Sequence, residues 1–178
     1  MLTPHEETAS PKVPQLLIAR IIWTAILASH FLLGFVIYMI KVPQLPEELV
    51  AGLDFSPAGI LQAFLNQMQN PLSLMLTGVA AVAAMAAFVV PAILLKVQQA
   101  KDQKLAADSP SGQRFERNFS SFVVRLALLE AVSIIGFYQV FVLAGNPVLF
   151  IPFLLVGVGL HLTQFPKDIH LGFEESAF

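Results

Sequence analysis

The chain contains no cysteine, which excludes disulfides, thiolate metal ligands and cysteine nucleophiles. Charge is scarce. Asp, Glu, Lys and Arg make up 12% of residues, against about 25% in a soluble domain. The formal net charge of −2 supplies no basic stripe, which argues against nucleic-acid binding. No phosphate-binding loop, Gly-x-Gly-x-x-Gly or nucleophile elbow occurs. One central acid and scattered histidines lack the spacing of metal ligands. No metal, no cofactor and no catalytic activity are therefore expected.

What the chain has is apolar length. Hydrophobic residues make up 56% of its 178 positions, and the mean hydropathy is +0.73. The expectation is one integral membrane domain, all-α, with the lipid bilayer as its first partner. Crossing the hydrocarbon core takes about 20 apolar residues. Four runs are read as spans, at about 16–40, 72–95, 119–144 and a shorter 148–165. The first is too long for a signal-peptide core of about 7 to 15 residues. Joined in order they make two hairpins, a four-helix bundle. Between the first two spans, Ser56-Pro57 reads as an N-cap followed by a first-turn proline. Ile60, Leu61, Phe64, Leu65 and Met68 then recur at helical spacing. A short amphipathic helix over about 57–69 is expected, lying on the membrane surface or packed on the bundle.

Basic residues set the orientation. Of the ten, only Lys41 lies in the loop after the first span. The other nine, Arg20, Arg114, Arg117 and Arg125 among them, fall on the opposite side. That predicts both termini in the cytoplasm, in a bacterial inner membrane. Ser109-Pro-Ser-Gly112 is expected to stop the second helix after it leaves the membrane, and Pro91 to kink it. Gly78, Ala81, Ala84 and Ala87 supply small side chains that allow close helix approach, because lipid gives helices no hydrophobic reward for associating. They predict a packing face, and with it self-association or a membrane-protein partner.

The two hairpins resemble each other at an offset of 102 residues. Ala25 matches Ala127, Gly34 matches Gly136 and Phe35 matches Phe137. The second helices share Asn-Pro starts (Asn70-Pro71, Asn146-Pro147) and later prolines, Pro91 and Pro166. A parallel tandem repeat is the expectation.

Glu130 lies about 12 Å inside the third span at 1.5 Å per residue. A charge there costs roughly 2.5 to 3.5 kcal/mol on insertion scales, so the carboxyl calls for a role. One role is a hydrogen-bonded fastening between helices. The other is binding a proton, with His30 at similar depth as its candidate companion. Ser133 shares the helix face of Glu130, whereas Arg125 is about 140° round the helix and expected to snorkel outward. His161 is expected at the interface.

Ala127 to Phe137, ALLEAVSIIGF, resembles the proton-carrying helix of the proteolipid (c or K) subunits of rotary ATPases. Residues 72–143 also follow that family's hairpin order. The resemblance implies a proton carrier at Glu130. It departs from the family in having alanine and valine in place of the glycine repeat, a longer polar loop and two extra spans. Nearly the whole chain is similar to small bacterial four-span proteins with no settled function, through Arg125-Leu-Ala-Leu-Leu-Glu130, Gly136-Phe137, Gly145-Asn146 and Phe165-Pro166-Lys167. That similarity carries no mechanism. The small-residue faces and the lack of a convergent polar set lead to the expectation of a non-catalytic membrane subunit or scaffold, with proton handling at Glu130 as the alternative.

Overall fold

The computed structural model describes residues 12–105 and 111–166. No strand occurs among them. Helix α1 (Lys12–Val36) continues through a π-helical turn, Ile37–Lys41, and a 3-10 turn, Val42–Gln44. The wide turn falls where Pro43 withholds an N–H from the helix. Helix α2 (Glu47–Ala51) and α3 (Pro57–Met68) follow, then α4 (Pro71–Leu105) and α5 (Ser111–Phe141). A 3-10 turn, Pro147–Leu149, leads into α6 (Phe150–Leu162).

Three helices are long and apolar enough to cross a membrane, within Leu16–Gln44, Pro71–Val97 and Asn118–Phe141. The expected fourth span is shorter than the sequence implied. Helix α6 has 13 residues, on the order of 20 Å, against a hydrocarbon core of about 30 Å. Asn146-Pro147 delays its start and Pro166 follows its end, so the apolar run cannot all be α-helix. Helix α5 ends at Phe141 instead of 144. Ala144 turns the chain at φ 53° and the Gly145 N–H reaches the Gln139 carbonyl at 3.2 Å. Ser111 and Gly112, expected in a stop, begin α5, and Arg114 and Arg117 fall in its first two turns. The rest of that expected stop lies outside the described residues, as do residues 1–11 and 167–178.

Helix α5 is the centre of the bundle and packs on α4, α6 and α1. The α1 and α4 helices have at most marginal contact with each other. The first predicted hairpin is thus not a packed pair, because α5 lies between its arms. Contact order along the helices shows α1 and α5 running one way and α4 and α6 the other.

The small-residue face of α4 is shifted from its predicted position. Ser73, Thr77, Ala80, Ala84, Ala87 and Pro91 alternate at spacings of four and three, and are buried or half-buried. This period of 3.5 keeps one seam against α5. Gly78 and Ala81 lie outside it and are exposed, with nothing within 4 Å of a Cβ added at Gly78. The reason is geometric: positions 78, 81, 84 and 87 recur every three residues and drift 60° per step away from a single face.

Both repeat glycines take a ring from the last segment of the chain. A Cβ at Gly34 would lie 3.2 Å from Phe150, and one at Gly136 would overlap Phe153. The Asn-Pro starts are also alike. Asn70 Oδ1 accepts the Leu72 N–H at 3.0 Å, and Asn146 Oδ1 accepts the Val148 N–H at 2.9 Å. The α3 start is as expected, with Ser56 Oγ accepting the Gly59 N–H at 3.1 Å. Asp54 Oδ1 accepts the Ser56 N–H at 2.8 Å, and that bond holds the Asp54 carboxyl below the usual carboxylate range. Phe64 turns inward, its ring 6.4 Å from that of Phe153. The helix therefore packs on the bundle end, while Leu61 and Leu65 stay exposed.

Candidate functional site

Polar side chains from α1, α5 and α6 meet at one level of the bundle. Ser29 Oγ lies 2.5 Å from Glu130 Oε1, and His30 Nδ1 lies 2.7 Å from Ser133 Oγ. Glu130 and Ser133 are three residues apart and so project from one face of α5. Ser29 and His30 are neighbours on α1, which runs parallel to α5, so two contacts form side by side. Helix α6 brings His161, whose Nε2 lies 3.0 Å from the Trp23 carbonyl. In return the Trp23 indole N–H donates to the His161 carbonyl at 3.2 Å. The two imidazoles meet edge to face, with centroids 5.4 Å apart.

Gly157 makes this meeting possible. A Cβ there would overlap Ser133 Oγ and lie 3.3 Å from His30 Cε1. His30, Ser133 and His161 are wholly buried, and Glu130 is half-buried. Its carboxyl is within electrostatic reach of both rings.

Hydrogen-bond counting restricts where the protons can lie. Ser29 Oγ lies 2.6 Å from the Ile26 carbonyl as well as 2.5 Å from Glu130. A hydroxyl has one proton and a carbonyl has none. When Ser29 donates to Ile26, the proton in the second contact comes from Glu130. The same count applies at Ser133, 3.5 Å from the Phe153 carbonyl and 2.7 Å from His30. With the hydroxyl donating to Phe153, the imidazole N–H of His30 lies on Nδ1. His161 must carry its N–H on Nε2, because the Trp23 carbonyl only accepts. In that arrangement His30 Nε2 and His161 Nδ1 are lone pairs. Both are buried, and neither has a partner.

The expected direct Glu130–His30 pair is not formed. The two residues come to the same level but each bonds a serine. His161, expected at the interface, is enclosed by the bundle and wholly buried. No group of three or more metal-ligating side chains occurs among the described residues.

Arg125 does not snorkel outward. Its Nε donates to the Ala87 carbonyl at 3.1 Å and its Nη1 to Gln164 Oε1 at 2.7 Å. The cause is Pro91. A residue there would normally donate its N–H to Ala87, four back, and proline has none. Arg125 fills the vacancy, and Ser121 Oγ donates to the Pro91 carbonyl at 3.3 Å. Helix α4 runs on through Pro91 to Leu105. Arg20 is exposed beside Phe165, 5.7 Å from its ring centroid.

No protein-family model, curated protein or solved structure matches the chain. The site is therefore interpreted on its own geometry. Sequence reasoning missed Ser29, Trp23, His161 and Gly157 as members of it. The shared face of Glu130 and Ser133, and the similar depth of His30, were visible in advance.

Proposed function

We propose that the chain is a non-catalytic multi-pass membrane subunit that assembles with copies of itself or with another membrane protein. In this reading α6 completes a fourth pass and the two hairpins form a tandem repeat. The termini lie in the cytoplasm of a bacterium, with the protein in its inner membrane. The observation that carries it is the use made of polar groups. Glu130, His30, Arg125 and Gln139 each bond across to another helix, which fastens the bundle. Association would use the exposed side of α4 at Gly78 and Ala81, because Ala84 and Ala87 are engaged with α5. Gly78→Leu and Ala81→Leu should lower the oligomeric state in native mass spectrometry from lipid nanodiscs while the fold persists. A monomeric wild type would refute self-association, and a partner would then be sought by co-purification.

A second reading, proton handling at Glu130, is favoured by one specific observation: two buried imidazole nitrogens, His30 Nε2 and His161 Nδ1, have no partner in the same polar cluster. Buried polar groups in membrane spans are costly to leave unpaired. Glu130→Gln separates the readings. The amide keeps the size and hydrogen bonding of a neutral acid, so a fastening role survives with assembly unchanged. A proton-carrying role is lost although the protein still inserts. Proton flux into liposomes measures the difference, and modification of Glu130 by a hydrophobic carbodiimide checks that the acid is reachable.

A further inference from the structure

We propose that Glu130, His30 and His161 hold one exchangeable proton between them. It rests either on Glu130 with both imidazoles neutral, or on the His30–His161 pair with Glu130 ionised. The inference rests on the proton-handling reading and adds its mechanism. His161 joins the site as a proton acceptor, and the site's unit is three groups instead of one acid.

The argument begins with the orphaned nitrogens. Each ring has one nitrogen fixed by an oxygen, Ser133 Oγ for His30 and the Trp23 carbonyl for His161. The Trp23 carbonyl sets the tautomer of His161, and the His30 tautomer follows when Ser133 donates to the Phe153 carbonyl. The other nitrogens, His30 Nε2 and His161 Nδ1, are both buried, on rings whose centroids are 5.4 Å apart. Each of these unpartnered nitrogens is a place where a proton can be accepted. When Ser29 donates to the Ile26 carbonyl, the exchangeable proton lies on Glu130, between the carboxyl and the hydroxyl.

Charge balance then limits the alternatives. Moving the proton breaks the O–H bond of Glu130 and forms an N–H bond on the imidazole pair. The carboxylate becomes −1 and the pair +1, so the cluster stays neutral. Adding a second proton would leave a net positive charge among apolar helices, which is far more costly. One fixed charge stands nearby. Arg125, five residues and so about 7.5 Å along α5 from Glu130, stays cationic while donating to the neutral Ala87 and Gln164 oxygens, and favours the arrangement with Glu130 ionised. On α1, Arg20 lies beside Phe165. Helix α6 contributes only His161, and α4 carries no charged residue from Pro71 to Leu95.

The test is solid-state NMR on the full chain in lipid bilayers, with 15N-histidine and 13C-glutamate labels. Between about pH 5 and 8, where imidazole titrates, the ionised fraction of Glu130 should equal the protonated fraction of the pair, and both should be above zero. Glu130→Gln removes the counter-charge and should cut the protonated fraction of the pair at least about tenfold at a given pH. His161→Gln should leave His30 neutral and Glu130 protonated. Unequal fractions would overturn the proposal. So would rings that protonate independently, or a carboxyl and rings that stay neutral throughout. The wild-type measurement stands even if a variant does not fold. If Glu130 still reacts with carbodiimide and Glu130→Gln abolishes flux while the fractions are unequal, only the sharing fails. If neither labelling nor flux occurs, proton handling itself fails.

Discussion

At the scale of single residues, the site depends on one missing side chain. Gly157 lets α6 approach close enough for His161 to reach α1. Gly157→Ala puts a methyl group where Ser133 Oγ lies, and overpacking of this kind costs about 1 to 3 kcal/mol. The expected outcome is a loss of thermal stability together with separation of the two imidazoles. Tryptophan fluorescence of Trp23 reports it, since its indole N–H bonds to the His161 carbonyl. Arg125 illustrates how a neighbouring helix changes a residue's role. Arg125→Leu leaves the Ala87 carbonyl without a donor, at a cost of about 1 to 3 kcal/mol. In a Pro91→Ala background the helix supplies its own N–H to Ala87, so the same substitution should cost less. A double-mutant cycle on unfolding in detergent measures that coupling. Additive effects would show that the guanidinium is not serving the proline vacancy.

At the scale of elements, α3 has a pH-dependent start. Asp54 is held below the ordinary carboxylate range by the Ser56 N–H, so folding favours its ionised form. Its contribution is complete above the ordinary value near pH 4 and is lost as pH falls through the lowered one. Amide exchange at the start of α3 should therefore accelerate on acidification below about pH 4. Asp54→Asn should remove that acid-dependent step while keeping an acceptor for Ser56. Helix α4 has a different dependence. Its seam of small residues fits α5, so Ala84→Leu and Ala87→Leu should destabilise the fold itself. Equal stability with altered oligomeric state would place that seam on an outer surface instead.

At the scale of the whole molecule, the membrane embedding proposed here fixes which loops an impermeant reagent can reach. Single cysteines at Glu48 and Ser111 should differ in intact cells, with only position 48 labelled from outside. Labelling at 111 would reverse the orientation that nine of ten basic residues imply.

Hydropathy and breakers along the chain determined the long apolar helices, the Ser56 and Asn70 caps and the prominence of Glu130, because those follow from local composition and spacing. Three things needed the tertiary structure. The placing of α5 between α1 and α4 could not be read, since apolar helices in lipid carry no label for their neighbours. The inward turn of Arg125 required knowing that the carbonyl freed by Pro91, 34 positions earlier in the chain, faces it. The gathering of Ser29, His30, Glu130, Ser133 and His161 at one level depended on helix register. Register across separate helices is set by which side chains interlock, and Gly34, Gly136 and Gly157 take their meaning only from the rings and hydroxyl that fill the space they leave.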